Sequence, residues 1–381
     1  MALARARPKL LYLVSEDWYF VSHRLALAVA AQDAGYDVSV ATRVNKDGDN
    51  IRNAGLRLLP ITFERAGLGP VLEIQTIARL IALYRQERPS IVHHVSVKPV
   101  IYGSIAARAS GVRGIVNALM GLGYVFSSQS AKARALRPAV RAGLGLALRA
   151  PNTRVIIQNS DDQALLAQQS LARGKDVRLI RGSGVDPRDF PVTPCPPGTP
   201  LVVLPARLLK DKGVEEFVDA AKILKSRGID ARFALVGDPD PLNPASFLKS
   251  TVDAWVASGA VEHWGWQPQS AMPSILASSS IVCLPSYREG LPKALLEAAA
   301  SGRAIVTTDV PGCREIVHHA INGWLVPARD AAALANALQE AINNPALRQS
   351  YGEAGRAMVE QEFSMQHVIE QTLAVYRELD Q

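Results

Sequence analysis

Residues 280–297 read Ser-Ile-Val-Cys-Leu-Pro-Ser-Tyr-Arg-Glu-Gly-Leu-Pro-Lys-Ala-Leu-Leu-Glu, which predicts a buried strand, a turn and the start of a helix. The apolar run 281–284 is typical of a strand covered on both faces, and Pro292 suits a first helical turn. Glu289 lies just before this helix and Glu297 lies inside it. Both carboxylates are therefore expected near the carboxyl edge of a sheet, where α/β folds bind ligands.

The backbone around Gly290 and Leu291 adds a second feature to this turn. Unpaired N–H groups at the start of a helix form a positive end that suits phosphate or sugar hydroxyls. A neighbouring carboxylate could accept hydrogen bonds from two adjacent hydroxyls of a ribose. The residues alone also fit two solvated glutamates on an amphipathic helix.

Length and composition indicate a two-domain globular protein. The chain has 381 residues, of which 48% are hydrophobic, so it suits two domains of about 180 residues. Its three cysteines, which lie far apart, indicate a reducing compartment, for which we expect the cytoplasm. The apolar run 10–14 is too short for a signal peptide, and no run reaches the ~20 residues of a membrane span.

The net charge of +7 is unevenly distributed. Residues 1–190 carry 26 Lys and Arg against 14 Asp and Glu, whereas the remainder carries 16 against 21. No acidic residue occurs between Glu87 and Asp161, but ten basic residues do. We expect something anionic to face this half of the chain.

Strand and helix patterns alternate in both halves, with predicted helices that include 23–34 in the first half and 245–258 in the second. This alternation predicts two mostly parallel, doubly wound sheets. The segment 186–200 has six prolines and reads as a stiff linker. We expect domains at 1–190 and 191–362, with a last helix at 363–381 that crosses back to the first domain. The segment 15–22 follows the first strand without Gly-x-Gly-x-x-Gly, which argues against a nicotinamide or flavin enzyme.

The Glu-x7-Glu pattern lies within Pro-Ser-Tyr-Arg-Glu-Gly-Leu-Pro and is followed by Glu-Ala-Ala-Ala-Ser-Gly-Arg-Ala-Ile-Val. This combination resembles the retaining glycosyltransferases of family 4, which have the GT-B fold. The resemblance implies two Rossmann-like domains that face each other across a cleft. By the same resemblance, Glu297 holds the ribose of a nucleotide and Glu289 contacts the donor sugar.

Other parts of the second domain match the same family. Arg207 and Lys212, on a strand-to-helix loop that ends in Gly213, resemble its diphosphate clamp; the alternative is a surface-charged loop. Trp266 stands at the end of the strand predicted at 261–264, in the region where the family binds the nucleotide base. Aromatic packing at the edge of the core is an equally open alternative. We assign the Asp-Pro-Asp sequence at 238–240 to a loop without metal, and expect no metal or cofactor.

Several residues of the first domain are candidates for binding an acceptor. His94 and Lys98 follow a strand at the carboxyl edge, and His23 with Arg24 is expected to open the first helix. For the histidines, satisfied packing is an open alternative. The loop that contains Gly-Leu-Gly-Tyr-Val-Phe at 121–126 carries a histidine near the reacting centre in many members of the resembling family. Here its first segment, 117–120, is Asn-Ala-Leu-Met, so this sequence departs from the family at the position of that histidine.

The predicted helix 131–149 places a stripe of leucines beside Arg137 and Arg141. Such adjacent apolar and cationic faces suit an anionic membrane surface, although a solvated helix packed by its leucines is the alternative. Nucleic acid is disfavoured because the basic tract lacks interleaved aromatic residues.

The first half contains Val-His-His-Val-Ser-Val-Lys-Pro-Val-Ile-Tyr-Gly at 92–103 and Asn-Ala-Leu-Met-Gly-Leu-Gly-Tyr-Val-Phe at 117–126. With these segments it looks most like bacterial members of the family that extend sugars carried on undecaprenyl diphosphate. We therefore expect a retaining, metal-independent transferase that moves a hexose or N-acetylhexosamine from a UDP-sugar to such a lipid-linked saccharide. We expect it on the inner face of the plasma membrane. The alternatives are a transferase with a soluble acceptor, a UDP-sugar epimerase of the same fold, or a nucleotide-binding module without activity.

Overall fold

The computed structural model describes residues 7–63, 69–122, 131–241 and 243–380. The chain divides into two compact units, Met1–Ser183 with Val368–Gln381, and Gly184–His367. The boundaries predicted after residues 190 and 362 both fall inside the second unit.

The first unit contains a seven-stranded parallel sheet with the strand order β3-β2-β1-β4-β5-β6-β7. Its strands are β1 Lys9–Glu16, β2 Asp37–Arg43, β3 Arg57–Pro60, β4 Ile91–Val95, β5 Gly114–Ala118, β6 Thr153–Ile157 and β7 Val177–Leu179. Its helices are α1 Asp17–His23, α2 Leu25–Asp33, α3 Gly48–Asn53, α4 Pro70–Glu87, α5 Val97–Ala109, α6 Ala131–Leu148 and α7 Ser160–Gln168.

The central strands of this sheet are buried on both faces. All five residues of β4 and of β5 are buried, as the near-continuous apolar pattern of a covered parallel strand requires. Because all strands run in one direction, Glu16, Val95 and Ala118 end at the same edge of the sheet. Of the candidate acceptor residues, His23, Arg24 and Lys98 lie in the segments that follow this edge, whereas His94 lies within β4.

The second unit contains a six-stranded parallel sheet with the order β10-β9-β8-β11-β12-β13. Its strands are β8 Leu201–Pro205, β9 Arg232–Val236, β10 Glu262–Gly265, β11 Ile281–Leu284, β12 Ala304–Thr308 and β13 Trp324–Val326. Its helices are α8 Val214–Ser226, α9 Lys249–Ala257, α10 Met272–Ser278, α11 Lys293–Ala300, α12 Cys313–Ile316, α13 Ala331–Asn343 and α14 Pro345–Glu362.

The last helix, α15 Met365–Leu379, contributes to the core of the first unit. The Tyr376 hydroxyl lies 2.7 Å from the hydroxyl of Tyr12 and 2.6 Å from Nδ1 of His93, and all three side chains are buried. This polar contact joins the last helix to β1 and β4.

Two helix predictions differ from the structure. The helix predicted at residues 23–34 begins only at Leu25, as α2, because Arg24 leaves helical geometry with φ −132° and ψ −13°. The residues before it form a separate helix, α1, which was not predicted. The helix predicted at 245–258 begins only at Lys249. The residues before it pair with the loop after β8: Ala245 O accepts from Lys210 N, and Phe247 N donates to Leu208 O.

No helix in the described part of the chain is both long enough and apolar enough to cross a bilayer.

Candidate active site

The loops that follow β8 and β11 come together at the carboxyl edge of the second sheet. These strands are neighbours, with Val202 opposite Ile281. Gly213 allows the close approach of the two loops: its φ is +67°, and a Cβ there would lie 2.0 Å from Pro285 O. Only glycine fits this position, so the glycine after Lys212 sets where the lysine lies.

Lys212 and Glu289 meet across these loops. Lys212 Nζ lies 2.5 Å from Glu289 Oε1, which also accepts a 2.6 Å hydrogen bond from Ser286 Oγ. The Glu289 side chain is 10% exposed and that of Lys212 is 23% exposed. The predicted acid and base therefore form one partly buried, charge-assisted pair.

A second set of contacts holds the two loops in register. Tyr287 N donates to Asp211 O at 2.9 Å, and the Tyr287 hydroxyl donates to Glu216 Oε1 at 2.5 Å. Arg288 pairs with the carboxylate of Asp211. The turn that carries Glu289 is thus held by residues on either side of Lys212 in sequence, Asp211 before it and Glu216 after it.

Glu297 lies within α11 and is 3% exposed. Its Oε1 accepts a 2.6 Å hydrogen bond from Gln269 Nε2 and lies 3.4 Å from Lys293 Nζ. Burial raises the pKa of this carboxyl, while Lys293 and Gln269 oppose the shift. A cavity of about 330 Å³ adjoins Glu297 and is also lined by Asp186 and Lys293.

Gly290 and Leu291 lie between the two glutamates. A Cβ at Gly312, where φ is +81°, would lie 2.4 Å from Gly290 O, so a glycine is needed there for the two turns to touch. Leu291 is half-buried and packs against the core beneath α11. The turn is therefore supported by the core on the side of Leu291 and by the Gly312 backbone on the other.

Arg207 pairs with Asp240, with 2.8 Å between Nη1 and Oδ2, and its side chain is 44% exposed. Asp238 lies 3.2 Å from His263 Nε2. Both carboxylates of the Asp-Pro-Asp sequence thus face basic side chains. Among the residues with described coordinates, no group of three or more His, Cys, Asp or Glu has the arrangement of a metal site.

The two tryptophans of the β10 end differ in environment. Trp264 Nε1 donates to Glu262 at 3.0 Å and packs on the core, whereas Trp266 is 61% exposed. Of the two, Trp266 is therefore the one whose side chain lies at the surface.

Arg24 lies between α1 and α2 and is 4% exposed. Its Nη2 donates to Met120 Sδ at 3.0 Å and its Nη1 to His23 O at 3.4 Å, while its buried Nε has no partner. His23 stacks on Tyr19 with ring centroids 4.2 Å apart. His23 ends α1, so the expectation that it opens the first long helix is wrong.

His94 is a core residue. Its Nδ1 lies 2.8 Å from Asn117 Oδ1 and its Nε2 lies 3.1 Å from the Tyr84 hydroxyl, and the side chain is 0% exposed. Burial lowers its pKa to about 4. Both ring nitrogens are engaged and enclosed, so we correct the expected acceptor contact: the sequence position at the strand end reflects packing.

Lys98, in the first turn of α5, pairs with Glu73 at 3.0 Å and lies 5.5 Å from the ring centres of Phe63 and Tyr102. Arg137 and Arg141 line a surface cavity of about 710 Å³ on α6. Of the loop predicted at residues 121–126, positions 123–126 lie outside the described residues.

Sequence reasoning missed several partners of the site. Lys293 precedes Glu297 by four positions on one helix, so helical spacing alone could have identified it. Ser286 and Asp240 have no such local signal, because their roles depend on how separate loops approach each other.

Comparison with known proteins matches both units to glycosyltransferase families. Residues 9–160 match the model described as "Glycosyl transferase 4-like", and residues 185–358 match "Glycosyl transferases group 1". Together these matches span most of both units.

Two curated relatives are 25% identical to this chain. One is the N,N'-diacetylbacillosaminyl-diphospho-undecaprenol alpha-1,3-N-acetylgalactosaminyltransferase of Campylobacter jejuni, matched over 85% of this chain and 87% of the relative. The other is the UDP-Gal:alpha-D-GlcNAc-diphosphoundecaprenol alpha-1,3-galactosyltransferase of Escherichia coli, matched over 73% and 72%.

Among solved structures, the sucrose-phosphate synthase of Thermosynechococcus elongatus superposes with a TM-score of 0.82 at 21% identity, over 98% of this chain and 99% of that one. This likeness shows the fold and confirms the predicted α/β architecture. With both domain models matched in order on two parallel α/β sheets, the chain belongs to glycosyltransferase family 4 and has the GT-B fold.

Proposed function

We propose that this glycosyltransferase moves a hexose or N-acetylhexosamine from a UDP-sugar to a saccharide carried on undecaprenyl diphosphate, and retains the configuration of the donor's anomeric carbon. The observation that carries the proposal is the contact between Lys212 and Glu289 at the carboxyl edge of the second sheet, on the strand-to-helix turn that leads to buried Glu297.

In this proposal each donor-site residue meets one part of the UDP-sugar. Glu297 accepts from the ribose hydroxyls, in the cavity that adjoins it. Lys212 and Arg207 bind the diphosphate, for which arginine and lysine are the usual partners. Glu289 contacts the sugar. The backbone at Gly290 and Leu291 donates to the phosphate or sugar hydroxyls, and Trp266 stacks on the base.

The same residues provide a mechanism without a protein base. The bond from the anomeric carbon to the leaving phosphate oxygen breaks as the acceptor hydroxyl attacks from the same face, and that phosphate oxygen takes the hydroxyl proton. Negative charge grows on the diphosphate during this step. Two positioned cations, Lys212 and Arg207, would stabilise that charge, which is where electrostatic catalysis acts most strongly. We therefore propose that no metal is required.

The acceptor proposal is supported by Arg24. A guanidinium that is 4% exposed, with no carboxylate partner in the described residues, is costly unless an anion joins it. It also stands at the N-terminus of α2, an end that already attracts anions. The diphosphate of a lipid-linked acceptor would supply the missing charge, with His23 and Lys98 as further contacts. Both 25% identical relatives are named for diphospho-undecaprenol substrates.

A membrane surface would bring such an acceptor to the enzyme. On α6, Arg134, Arg137 and Arg141 line the surface cavity of about 710 Å³, and Leu146 on the same helix is 64% exposed. α5 packs against both α6 and α4, and α4 exposes three large apolar side chains near its start: Val71, Leu72 and Ile74. Basic and apolar groups on adjacent helices suit an anionic bilayer, here the cytoplasmic face of a bacterial plasma membrane.

A screen of UDP-sugars tests this proposal. Each donor is incubated with the protein and a short-chain prenyl diphosphate-sugar, and released UDP and extended lipid are measured separately. Transfer requires that both products form in equal amounts and only when the acceptor is present. UDP release with donor alone would favour the epimerase, equal transfer to soluble sugars would favour a soluble-acceptor enzyme, and binding without turnover would favour a nucleotide-binding module.

A further inference from the structure

The second unit has a further cavity, of about 900 Å³, at the amino edge of its sheet. Its lining includes Ser280 and Gly302, which stand just before β11 and β12, and the segment 192–195. Because the strands are parallel, this edge is opposite the one that carries Lys212 and Glu289. The cavity is therefore separate from the proposed donor site, and its side chains take no part in the proposed reaction.

Two arginines that line this cavity are buried without an acidic partner. Arg303 is 3% exposed and Arg348 is 9% exposed, and neither has a carboxylate at ion-pair distance among the residues that the structure describes. The Nε atom of each is enclosed and has no hydrogen-bond partner. Burial lowers the pKa of Arg303, which reflects how poorly its charge is solvated.

Both arginines donate hydrogen bonds to carbonyl oxygens at the C-terminal ends of neighbouring helices. These bonds use only part of the donors of each guanidinium. Arg348 Nη1 donates to Ala341 O and Ile342 O, each at 2.7 Å, near the end of α13. Arg303 Nη2 donates to Ala277 O at 3.1 Å, in the last turn of α10, and to the hydroxyl of Thr193, which also lines the cavity. A helix end carries about half a negative charge, so it neutralises a guanidinium only in part.

A third arginine on the same cavity shows the contrast. Arg356 Nη1 donates to Ala300 O at the end of α11, but its Nε also pairs with Glu360 at 2.5 Å. Its charge is therefore matched by a carboxylate of the protein, whereas the charges of Arg303 and Arg348 are not. The unmatched positive charge is located where an open cavity can admit a small molecule.

We propose that this cavity binds a small phosphorylated molecule through Arg303 and Arg348. Guanidinium groups bind phosphate with short, charge-assisted hydrogen bonds. Three arginines of the lining, with Arg356, outnumber its two carboxylates, Glu353 and Glu360, so the cavity keeps a positive balance for an anion. The cavity volume lies within the range of ordinary small-molecule sites, about 300–1,000 Å³. Such a site is distinct from the donor site and does not depend on the proposed reaction.

Cys195 provides a direct readout of occupancy. It lines the cavity and is exposed, whereas Cys283 and Cys313 are 0% exposed. A thiol reagent on the folded protein should therefore label Cys195 first. Inorganic phosphate and glucose 1-phosphate, each compared with chloride at the same ionic strength, should slow this labelling severalfold. Slowing by phosphate alone supports a free-phosphate site, and slowing by the ester alone supports an organic phosphate. An unchanged labelling rate with both would overturn the proposal.

Variants separate binding from general ionic effects. Ala357→Trp places a bulky ring in the cavity from an exposed position of α14 and leaves the arginines intact, so it should abolish the protection. Arg348→Gln should weaken protection by about tenfold, the effect of losing a charged hydrogen bond. Lys212→Met, at the donor site, should keep it in full. Protection that persists in both Ala357→Trp and Arg348→Gln would contradict this site, whatever the outcome of the transferase assay.

Discussion

Lys212 Nζ lies 2.5 Å from Glu289 Oε1, although the two residues are 77 positions apart in the chain. The contact joins the loops that follow two neighbouring strands and depends on Gly213, whose missing side chain lets the first loop touch Pro285. Because Glu289 also accepts a hydrogen bond from Ser286, Lys212 can leave it to bind a diphosphate while the glutamate keeps one hydrogen-bond donor.

Lys212→Met should lower kcat by roughly a hundredfold, the usual effect of removing one group that stabilises transition-state charge. The measurement is steady-state release of UDP in the presence of acceptor. Lys210→Met is the matched control, because Lys210 is an exposed lysine of the same short turn, Lys210–Lys212. If both variants lost activity equally, the loop rather than the Lys212 charge would be responsible.

Glu297→Gln should weaken UDP binding by about 1.5–3 kcal/mol, the range for hydrogen bonds to a charged group. Isothermal titration of UDP measures the change, with the exposed Glu340→Gln as control. Because burial raises the pKa of Glu297, its carboxylate takes up a proton at a higher pH than an ordinary glutamate does. UDP affinity in the wild type should therefore fall more than in Glu297→Gln as the pH decreases through that range.

Arg24→Met should raise the free energy of unfolding by about 1–3 kcal/mol and reduce use of the acceptor. The gain is expected because the substitution removes a buried charge that has no carboxylate partner, at a helix end of the same sign. Chemical denaturation measures the stability, and KM for the lipid-linked acceptor measures the function. Arg24→Lys keeps the charge and should restore part of the acceptor affinity. A variant that is less stable but binds acceptor normally would assign Arg24 to the core alone.

His94 should make stability depend on pH below neutrality. Its folded pKa of about 4 lies below the ordinary value of 6.5, so only the unfolded chain takes up this proton between those values. Its contribution to stability is therefore complete above pH 6.5 and is lost as the pH falls toward about 4, in total about 3 kcal/mol. His93 is also buried with a lowered pKa, so the comparison is made with His94→Asn, which should flatten one part of the curve. The same curve for both proteins would show that His94 does not titrate this way.

Membrane binding should depend on α6. The double charge reversal Arg137→Glu and Arg141→Glu should release the protein from anionic vesicles, since each basic group near such a surface contributes about 1 kcal/mol. Flotation at low and high salt measures this. Lys222→Glu with Lys249→Glu, two exposed lysines of the second unit, serves as the control. Vesicle binding that is equal in the two double variants would place the membrane contact elsewhere.

The parts of the fold that follow from local pattern were predictable. Buried runs such as Ile281–Leu284 and the helix that contains Glu297 lie where periodicity places them. Arg24 separates α1 from α2 because its backbone is not helical, and the residue type does not reveal such a conformation. The helix predicted at 245–258 begins at Lys249 instead, because the backbone of residues 245 and 247 pairs with the loop after β8, a tertiary contact that no local pattern shows.

The candidate site was predictable in part for the same reason. Glycines and carboxylates at strand ends mark the edge of the sheet, so Lys212 and Glu289 could be placed there. Position along a strand, however, does not say whether a side chain points into the core: His94 does, and its partners Tyr84 and Asn117 come from separate elements. Burial of this kind is decided by packing between helices and strands that are distant in sequence.

The transfer reaction itself gives the sharpest test. A radiolabelled UDP-N-acetylhexosamine or UDP-hexose is incubated with a short-chain prenyl diphosphate-sugar, and the lipid product is identified by mass and by the anomeric configuration of its new linkage. The account predicts a lipid longer by one sugar, with the donor's configuration retained, and almost none from Lys212→Met. An inverted linkage, or UDP release at the same rate without any acceptor, would contradict it.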